Sequence, residues 1–214
     1  MDISIVLPTF NERDNISPLI ERTLTALSDY ELEIVVVDDD SPDGTWQLVA
    51  EKAKSDPRVR LIRRVDERGL TSAIQRGITE ARGDRVGWMD CDLSMPPEDW
   101  PKLAALLANG ADVAVGSRYV AAGLALDWGI KDYTSGFILA RKEVFSKISL
   151  QGDYGEYCID LLYRAKKAGF SVQEAPYVCV PREAGESKTA LNAWGYVTRG
   201  VNYVKTVGRL RFGQ

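Results

Sequence analysis

Two aspartates, Asp90 and Asp92, are the residues of this sequence best suited to bind a cation. They follow an apolar segment, residues 85–89, whose composition is typical of a buried strand. Two carboxylates this close repel each other, so a fold keeps them at low cost when a cation neutralises them. Mg²⁺ prefers oxygen ligands and shares its coordination shell with phosphates. The pair therefore predicts a metal–diphosphate site, and helix capping by Asp92 is the alternative interpretation.

Two further polar clusters follow apolar segments nearer the N-terminus. Residues 8–12 (PTFNE) come after the segment 3–7, and residues 38–40 (DDD) come after 33–37. Turn formation explains Asp40 and the residues after it, but three carboxylates in a row exceed what a turn needs. A carboxylate at such a strand end can accept hydrogen bonds from a nucleobase or ribose, as acidic residues of dinucleotide-binding folds do.

The composition excludes several kinds of chemistry. The chain has no histidine, which excludes Ser-His-Asp and Cys-His catalysis and His-ligated metals. It has neither GxGxxG nor GxxxxGK[ST], so phosphates must be held by a metal and by side chains. Arg118, after the predicted strand 113–115, is placed to help hold these phosphates. The equal alternative is that Arg118 is an ordinary surface arginine. The net charge of -4 argues against a nucleic-acid partner.

The apolar segments that position these clusters alternate between two periodicities. Predicted strands cover 3–7, 33–37, 59–62, 85–89, 113–115 and 135–140, with one or two more in 172–180. Predicted helices cover 16–27, 46–53, 70–81, a segment opened by Pro96 and Pro97, 159–168 and 189–206. This alternation predicts an α/β fold with a doubly wound, mostly parallel sheet. Ligands of such sheets bind at the carboxyl ends of the strands, so the three polar clusters should converge there.

The C-terminal segment differs in charge from the rest of the chain. Residues 187–214 carry five basic residues and no acidic one. Within the predicted helix, Leu191, Trp194, Val197, Val201 and Val204 recur at helical spacing. Such a stripe with basic flanks can dock on an anionic membrane surface, or it can pack against the rest of the protein. No segment has the apolar length needed to span a bilayer. The three cysteines are odd in number and far apart in sequence, which favours a reducing, cytosolic setting.

Taken together, the polar clusters and their flanks resemble a known family. The sequence looks like a family 2 glycosyltransferase with the GT-A fold, and within that family it is similar to the dolichyl-phosphate mannose synthase group of polyprenyl-phosphate glycosyltransferases. The matching segments are VLPTFNER (6–13), IVVVDDDSPDGT (34–45), RGL (68–70), MDCDL (89–93), PPE (96–98), GSRYV (116–120), SGF (135–137), LYRAK (162–166) and GESK (185–188). They occur in family order along nearly the whole chain, which makes the set specific although each segment alone is weak.

The resemblance implies one GT-A (Rossmann-like nucleotide-diphospho-sugar transferase) domain over residues 1–214. Residues 1–116 would bind the nucleotide sugar, residues 117–188 would form the acceptor side, and residues 189–214 would form the amphipathic basic helix. It also implies GDP-mannose as donor, a polyprenyl or dolichyl phosphate as acceptor, and Mg²⁺ or Mn²⁺ as cofactor. Such an enzyme would be cytoplasmic and peripheral, at the cytoplasmic face of a membrane. Because a phosphate acceptor is already anionic, a single displacement needs no general base and inverts the anomeric centre.

The resemblance also implies roles for individual residues. The nucleotide-sugar contacts would be Pro8, Phe10, Glu12, Val37, Asp39, Asp90, Cys91, Asp92 and Arg118. Asp90 and Asp92 would hold the metal, which Ser94 would reach through a water. Arg182 and Lys188 would bind the acceptor phosphate. The catalytic residues would be Asp92, Arg118 and Arg182.

Two departures from the family pattern affect these expectations. Ser94 stands where the family often has a longer glutamine, which weakens direct ligation of the metal. The span between Tyr119 and Ser135 is shorter than is common in the family, which weakens the assignment of the acceptor but not that of the donor. Two alternatives therefore stay open. One is transfer to a sugar or protein hydroxyl with Glu156 or Asp160 as base, and the other is an inactive nucleotide-binding scaffold.

Overall fold

The computed structural model describes residues 1–119, 129–182 and 193–212. Within these ranges the strands are β1 (Ile3–Thr9), β2 (Leu32–Asp38), β3 (Val59–Arg63), β4 (Arg85–Trp88), β5 (Val113–Ser117), β6 (Ile138–Arg141) and β7 (Val172–Pro176). The helices are α1 (Arg13–Ala26), α2 (Thr45–Ser55), α3 (Leu70–Glu80), α4 (Trp100–Ala108), α5 (Lys142–Lys147), α6 (Glu156–Lys167) and α7 (Ala193–Phe212), with a 3₁₀ turn at Pro97–Asp99 before α4.

The strands form one sheet in the order β3-β2-β1-β4-β6-β5-β7. Neighbouring strands run parallel except β6, which is antiparallel to both β4 and β5. The register pairs Thr9 with Asp38 and Val6 with Trp88. The carboxyl ends of β1, β2 and β4 therefore lie side by side, and the polar cluster after each of these strands reaches the same edge.

Both faces of the sheet are covered, which explains why β1 and β2 are apolar throughout. Ile5, Leu7 and Val36 pack on one face with residues of α1, α2 and α4. Val6 and Val35 pack on the other face with residues of α3, α5 and α6. Successive side chains of a strand point to opposite faces, so a strand buried on both sides is continuously hydrophobic. The predicted α/β fold with a doubly wound, mostly parallel sheet is confirmed.

The structure differs from the sequence-based elements mainly after β5. Helix α5 was not predicted, since six residues are too few to establish a helical period. The strand predicted over 135–140 begins only at Ile138, because Ser135 Oγ accepts the N–H of Phe137 in a turn, 3.2 Å away. The segment 172–180 forms a single strand that ends at Pro176, a residue without an N–H to extend the ladder.

Helix α7 packs on the core through residues that do not belong to the apolar stripe identified in the sequence. Tyr203 and Leu210 pack against the α3–α6 side of the core, and Thr206 between them is buried. The predicted stripe contained Val201 and Val204, but their exposed fractions are 45% and 73%. The alternative in which this stripe packs against the domain is therefore contradicted for Val201 and Val204, and docking of the stripe on a membrane stays a prediction. In the described ranges no helix combines the length and apolar character needed to span a bilayer.

Candidate active site

A cavity of about 740 Å³ opens where the carboxyl ends of β1, β2 and β4 meet. Its lining includes Pro8, Thr9, Phe10, Glu12, Asp39, Arg68, Gly69, Leu70, Ala73, Asp90, Cys91 and Asp92 from the first half of the chain. The rest of the lining comes from the second half of the chain and consists of Arg118, Thr134, Gly136, Tyr154, Gly155, Tyr157, Cys158, Arg182 and Tyr203. These residues are called the acceptor-side wall below, after the role that the resemblance implies for residues 117–188. The three predicted polar clusters thus converge on one site.

The β1 end contributes Pro8, Phe10 and Glu12 to the cavity, as predicted. Glu12 is buried and accepts a hydrogen bond from Asn15 Nδ2, 2.8 Å away. The guanidinium of Arg68 lies over the Phe10 ring, 5.1 Å from its centroid. These contacts hold an aromatic ring and a carboxylate in the lining of the cavity.

The three aspartates at the end of β2 differ in their surroundings. Asp39 lines the cavity and accepts hydrogen bonds from Arg64 Nε at 2.7 Å and the Gly69 N–H at 2.8 Å. Asp38 makes the turn instead, through Ser41 and Thr9. Turn formation was expected only from Asp40 onward, so its start was placed too late.

Val37 is the predicted nucleotide contact that the structure separates from the cavity. Its side chain has no exposed surface and packs in the α3–α6 side of the core. Strand alternation explains this placement, because Val37 points to the same face as Val35. Cys91 does line the cavity, and its thiol donates to the Pro8 carbonyl at 3.3 Å.

Asp90 and Asp92 lie together in the cavity, as predicted. The pKa of Asp90 is raised to about 6, mainly by burial and secondly by the charge of Asp92. Arg182 Nη2 donates to Asp92 Oδ2 at 3.0 Å, and Ser94 donates to Asp92 Oδ1 through both its N–H and its hydroxyl. Ser94 therefore contacts the cavity only through Asp92, and its contact with a metal stays a prediction.

This pair of carboxylates fits a divalent cation. Burial and the charge of Asp92 both disfavour the ionised form of Asp90, and a cation bound between the two carboxylates would favour it. The described residues hold no cluster of three or more Asp, Glu, Cys or His side chains that could cage an ion. Two carboxylates would leave most of the coordination shell to phosphate and water oxygens, which is how Mg²⁺ is usually bound beside a diphosphate.

Arg118 is held firmly in the acceptor-side wall. Its guanidinium donates to both carboxylate oxygens of Asp132 at 2.8 Å and to Thr134 Oγ1 at 2.7 Å. Burial would raise the pKa of Asp132, but the hydrogen bonds and charge of Arg118 outweigh it and lower that pKa. Bidentate pairing with Asp132 fixes the plane of the guanidinium, so Arg118 presents a positioned positive charge to the cavity.

Backbone strain marks the same three strand ends. Among the described residues, the non-glycine positions with positive φ are Asn11 at 56°, Asp40 at 55° and Leu93 at 61°. One follows each of β1, β2 and β4. Left-handed conformations cost roughly 1–2 kcal/mol per residue, and such outliers concentrate at functional sites.

Several cavity residues were not predicted from the sequence. Tyr157 and Cys158 come from the first turn of α6, Tyr154 lies two residues before that helix, and Tyr203 comes from α7. Burial raises the pKa of Cys158 to about 12, and Trp88 Nε1 donates to the hydroxyl of Tyr157 at 2.9 Å. Their side chains are ordinary for a core, so composition and spacing gave no signal.

The candidate bases of the hydroxyl-acceptor alternative do not line the cavity. Asp160 has no exposed surface, and its two oxygens accept from Arg164 and Arg209. Glu156 is buried at the start of α6 and accepts the N–H of Asp153 at 3.0 Å. The predicted acceptor residue Lys188 lies outside the described residues.

Known proteins resemble this chain in sequence. A family model described as glycosyl transferase family 2 matches residues 4–149. A dolichol-phosphate mannosyltransferase of Pyrococcus furiosus is 40% identical over 88% of this chain, and the chain spans 59% of that relative's length. A polyprenol monophosphomannose synthase of Mycolicibacterium smegmatis is 38% identical, covering 86% of this chain and 79% of that relative.

Solved structures resemble it in fold. One is a glucosyl-3-phosphoglycerate synthase from Mycobacterium tuberculosis, solved with Mn²⁺, UDP and phosphoglyceric acid. Its TM-score is 0.75 at 20% sequence identity, and the match covers 98% of this chain and 78% of the synthase chain. A mannosyltransferase from Pyrobaculum calidifontis, with GDP-Man and Mn²⁺, gives 0.74 at 22% identity over 99% of this chain and 65% of its own. These likenesses confirm the GT-A fold. The family model covers most of the chain and agrees with the sequence relatives, so this chain belongs to glycosyl transferase family 2.

Proposed function

We propose that this chain transfers mannose from GDP-mannose to a polyprenyl phosphate such as dolichyl phosphate, with inversion at the anomeric carbon. The observation that carries the proposal is the single cavity in which Asp90 and Asp92 lie beside two positioned arginines, Arg118 and Arg182. Relatives named for mannose transfer to dolichol phosphate and polyprenol support this choice of substrates.

The donor lies across the carboxyl ends of β1, β2 and β4. Pro8, Phe10 and Glu12 contact the nucleotide, and Asp39 accepts hydrogen bonds from its base or ribose. Asp90 and Asp92 would hold Mg²⁺ or Mn²⁺, which when bound would supply positive charge to offset that of the departing diphosphate. The mannosyltransferase from Pyrobaculum calidifontis, solved with GDP-Man and Mn²⁺, supports this donor and cofactor.

The acceptor approaches along the acceptor-side wall. A phosphate monoester is anionic near neutral pH, so its oxygen attacks without a general base. Arg118 and Arg182 offset the repulsion between this phosphate and the donor diphosphate and align the two reactants. Asp160, a candidate base for a hydroxyl acceptor, accepts hydrogen bonds from two arginines instead. This pairing supports a mechanism without a general base.

The lipid acceptor would place the enzyme at a membrane surface. Helix α7 supports this location, since Val204 and Phe212 are 73% and 83% exposed and Arg211 lies between them in sequence. An amphipathic helix with apolar and basic residues on its free side can lie in the headgroup layer. The cytoplasmic face stays a prediction.

A panel of radiolabelled donors tests the proposal. GDP-mannose, GDP-glucose and UDP-glucose are each offered with a polyprenyl phosphate or with soluble sugars, in Mn²⁺ and in excess EDTA. We expect label in the lipid fraction from GDP-mannose alone, abolished by EDTA and restored by Mg²⁺ or Mn²⁺. Transfer to a soluble sugar, or transfer that survives EDTA, would contradict the acceptor or the metal respectively.

A further inference from the structure

One side chain of the C-terminal helix reaches the cavity. Tyr203, on α7, lines it beside Gly155, which immediately precedes α6. The fit between them is tight, because a Cβ added at Gly155 would lie 2.0 Å from the Tyr203 hydroxyl and 3.3 Å from its Cζ. Gly155 has a φ of -70°, which any residue adopts, so the glycine is needed there for space and not for backbone freedom.

The contacts around Tyr203 hold α7 on the domain at a defined position. One turn and a half further along the helix, Arg209 donates to Asp160 Oδ1 at 2.7 Å and to Gln151 Oε1 at 2.6 Å. Asp160 is a fully buried carboxylate, so its pairing with Arg209 is a specific attachment point. Thr206 is buried between the two contacts. The helix is thus attached by the face that carries Tyr203.

We infer that Tyr203 is a positioning residue of the acceptor site, and that α7 completes the acceptor-side wall of the cavity. This inference rests on the proposed function, which supplies the acceptor. Tyr203 belongs to the part of the cavity lining that comes from the second half of the chain, as Arg118 and Arg182 do, whereas the contacts proposed for the nucleotide base and ribose follow β1 and β2. A rigid aromatic side chain there narrows the space that an acceptor phosphate and the transferred sugar share. Tyr203 therefore acts on acceptor binding more than on nucleotide binding.

Kinetics with a water-soluble, short-chain polyprenyl phosphate test the assignment without a membrane. We expect Tyr203→Ala to raise the KM for this acceptor about tenfold, while kcat and the Kd for GDP with Mn²⁺ stay within about twofold. Lys205→Ala is the matched control, because Lys205 is an exposed residue of the same helix. A purely structural role would instead lower the unfolding temperature and leave the acceptor KM unchanged.

A second pair of variants tests the contact itself. Gly155→Ala should raise the acceptor KM, because the new methyl group displaces the Tyr203 hydroxyl. Tyr203→Phe removes the nearest atom, so the double variant should recover most of the acceptor affinity that Gly155→Ala loses. An equal defect of Gly155→Ala in both backgrounds, or normal KM values for Tyr203→Ala and Gly155→Ala alike, would overturn the inference.

Hydrogen exchange separates this inference from the proposed function. Failure of the wild-type protein to label any polyprenyl phosphate would count against the proposed function alone. Without any acceptor, the amides of residues 154–158 should exchange faster in Tyr203→Ala and in Gly155→Ala than in Lys205→Ala. Equal exchange in all three variants would show that α7 does not close this wall.

Discussion

At the scale of single residues, Asp92 connects the predicted metal site to the acceptor-side wall. Its two oxygens face different partners, since Ser94 donates to Oδ1 and Arg182 donates to Oδ2. Asp92 is therefore already oriented by neutral and charged donors before any ligand binds. This arrangement allows its charge to be tested separately from its shape.

Asp92→Asn should remove the negative charge and keep a side-chain oxygen that accepts the hydrogen bonds from Ser94. We expect turnover at saturating Mn²⁺ to fall by roughly 10² or more, which corresponds to about 3 kcal/mol of lost transition-state stabilisation. The unfolding temperature should change little, because the substitution also relieves repulsion between Asp92 and Asp90. Near-normal turnover of this variant would contradict the metal assignment. Asp99→Asn serves as the control, because Asp99 does not line the cavity.

Asp39 and Arg182 should separate donor binding from acceptor binding. An ionised carboxylate offers about four lone-pair sites, and Arg64 and Gly69 occupy two of those on Asp39. Asp39→Asn should weaken GDP binding about tenfold, the effect of losing one hydrogen bond to a charged group. Arg182→Ala should change GDP binding less and impair transfer more. Calorimetry without lipid measures the first effect, and equal losses in both variants would contradict this division of the site.

The residues that could be predicted from the sequence are those whose chemistry is unusual for their place. Asp90, Asp92 and Asp39 are carboxylates at the ends of buried strands, a local signal. Val37 was misplaced because a continuously apolar strand does not indicate which side chains face a ligand. Tyr203 could not be predicted, since its contact with Gly155 depends on how α7 lies across α6.

At the scale of elements, strand order could be predicted only in part. Alternating strands and helices predict the parallel β1, β2, β3 and β4 arrangement, because a right-handed crossover leaves few other solutions. The antiparallel insertion of β6 between β4 and β5 has no such local rule. Its position is nevertheless important, since Asp132, Thr134 and Gly136 all lie on the segment that leads into β6.

Glu33 links several elements at the amino-terminal end of the sheet. It is buried on β2 and accepts hydrogen bonds from Ser4 Oγ on β1, Arg60 Nη1 on β3 and the Arg82 N–H after α3. Burial would raise the pKa of Glu33, but these hydrogen bonds outweigh it and hold the pKa below its usual 4.5. Its ionised form therefore stabilises the folded state.

Glu33→Gln should lower the free energy of unfolding by about 2 kcal/mol at pH 7. Because the native pKa is depressed, the contribution of Glu33 is fully present above pH 4.5 and is lost as the pH falls through the lower native value. The difference between wild type and variant should thus shrink below pH 4.5. Denaturant unfolding across that range measures it, with the exposed Glu51→Gln as control. A difference that grows with acidity would contradict this sign.

At the scale of the whole molecule, two faces of α7 lie in different surroundings. One face carries Tyr203, Thr206 and Leu210 against the domain, and the other leaves Val201 and Val204 exposed. The amphipathic pattern predicted a helix here, but it could not indicate which side would face the protein. Arg209 belongs to the attached side through Asp160, so it is unsuitable as a probe of membrane binding.

Binding to vesicles should depend on the free side of α7. Arg211→Gln should weaken sedimentation with anionic vesicles about fivefold, since one basic residue contributes about 1 kcal/mol at such a surface. Val204→Ser should weaken it further, because Val204 is more exposed than Val201 and Val207 of the same helix. Binding should also fade as salt shortens the Debye length toward ~3 Å at 1 M. Lys167→Gln, at the end of α6, is the control for total charge. Binding that ignores salt and both α7 substitutions would mean that the lipid reaches the acceptor-side wall by another surface.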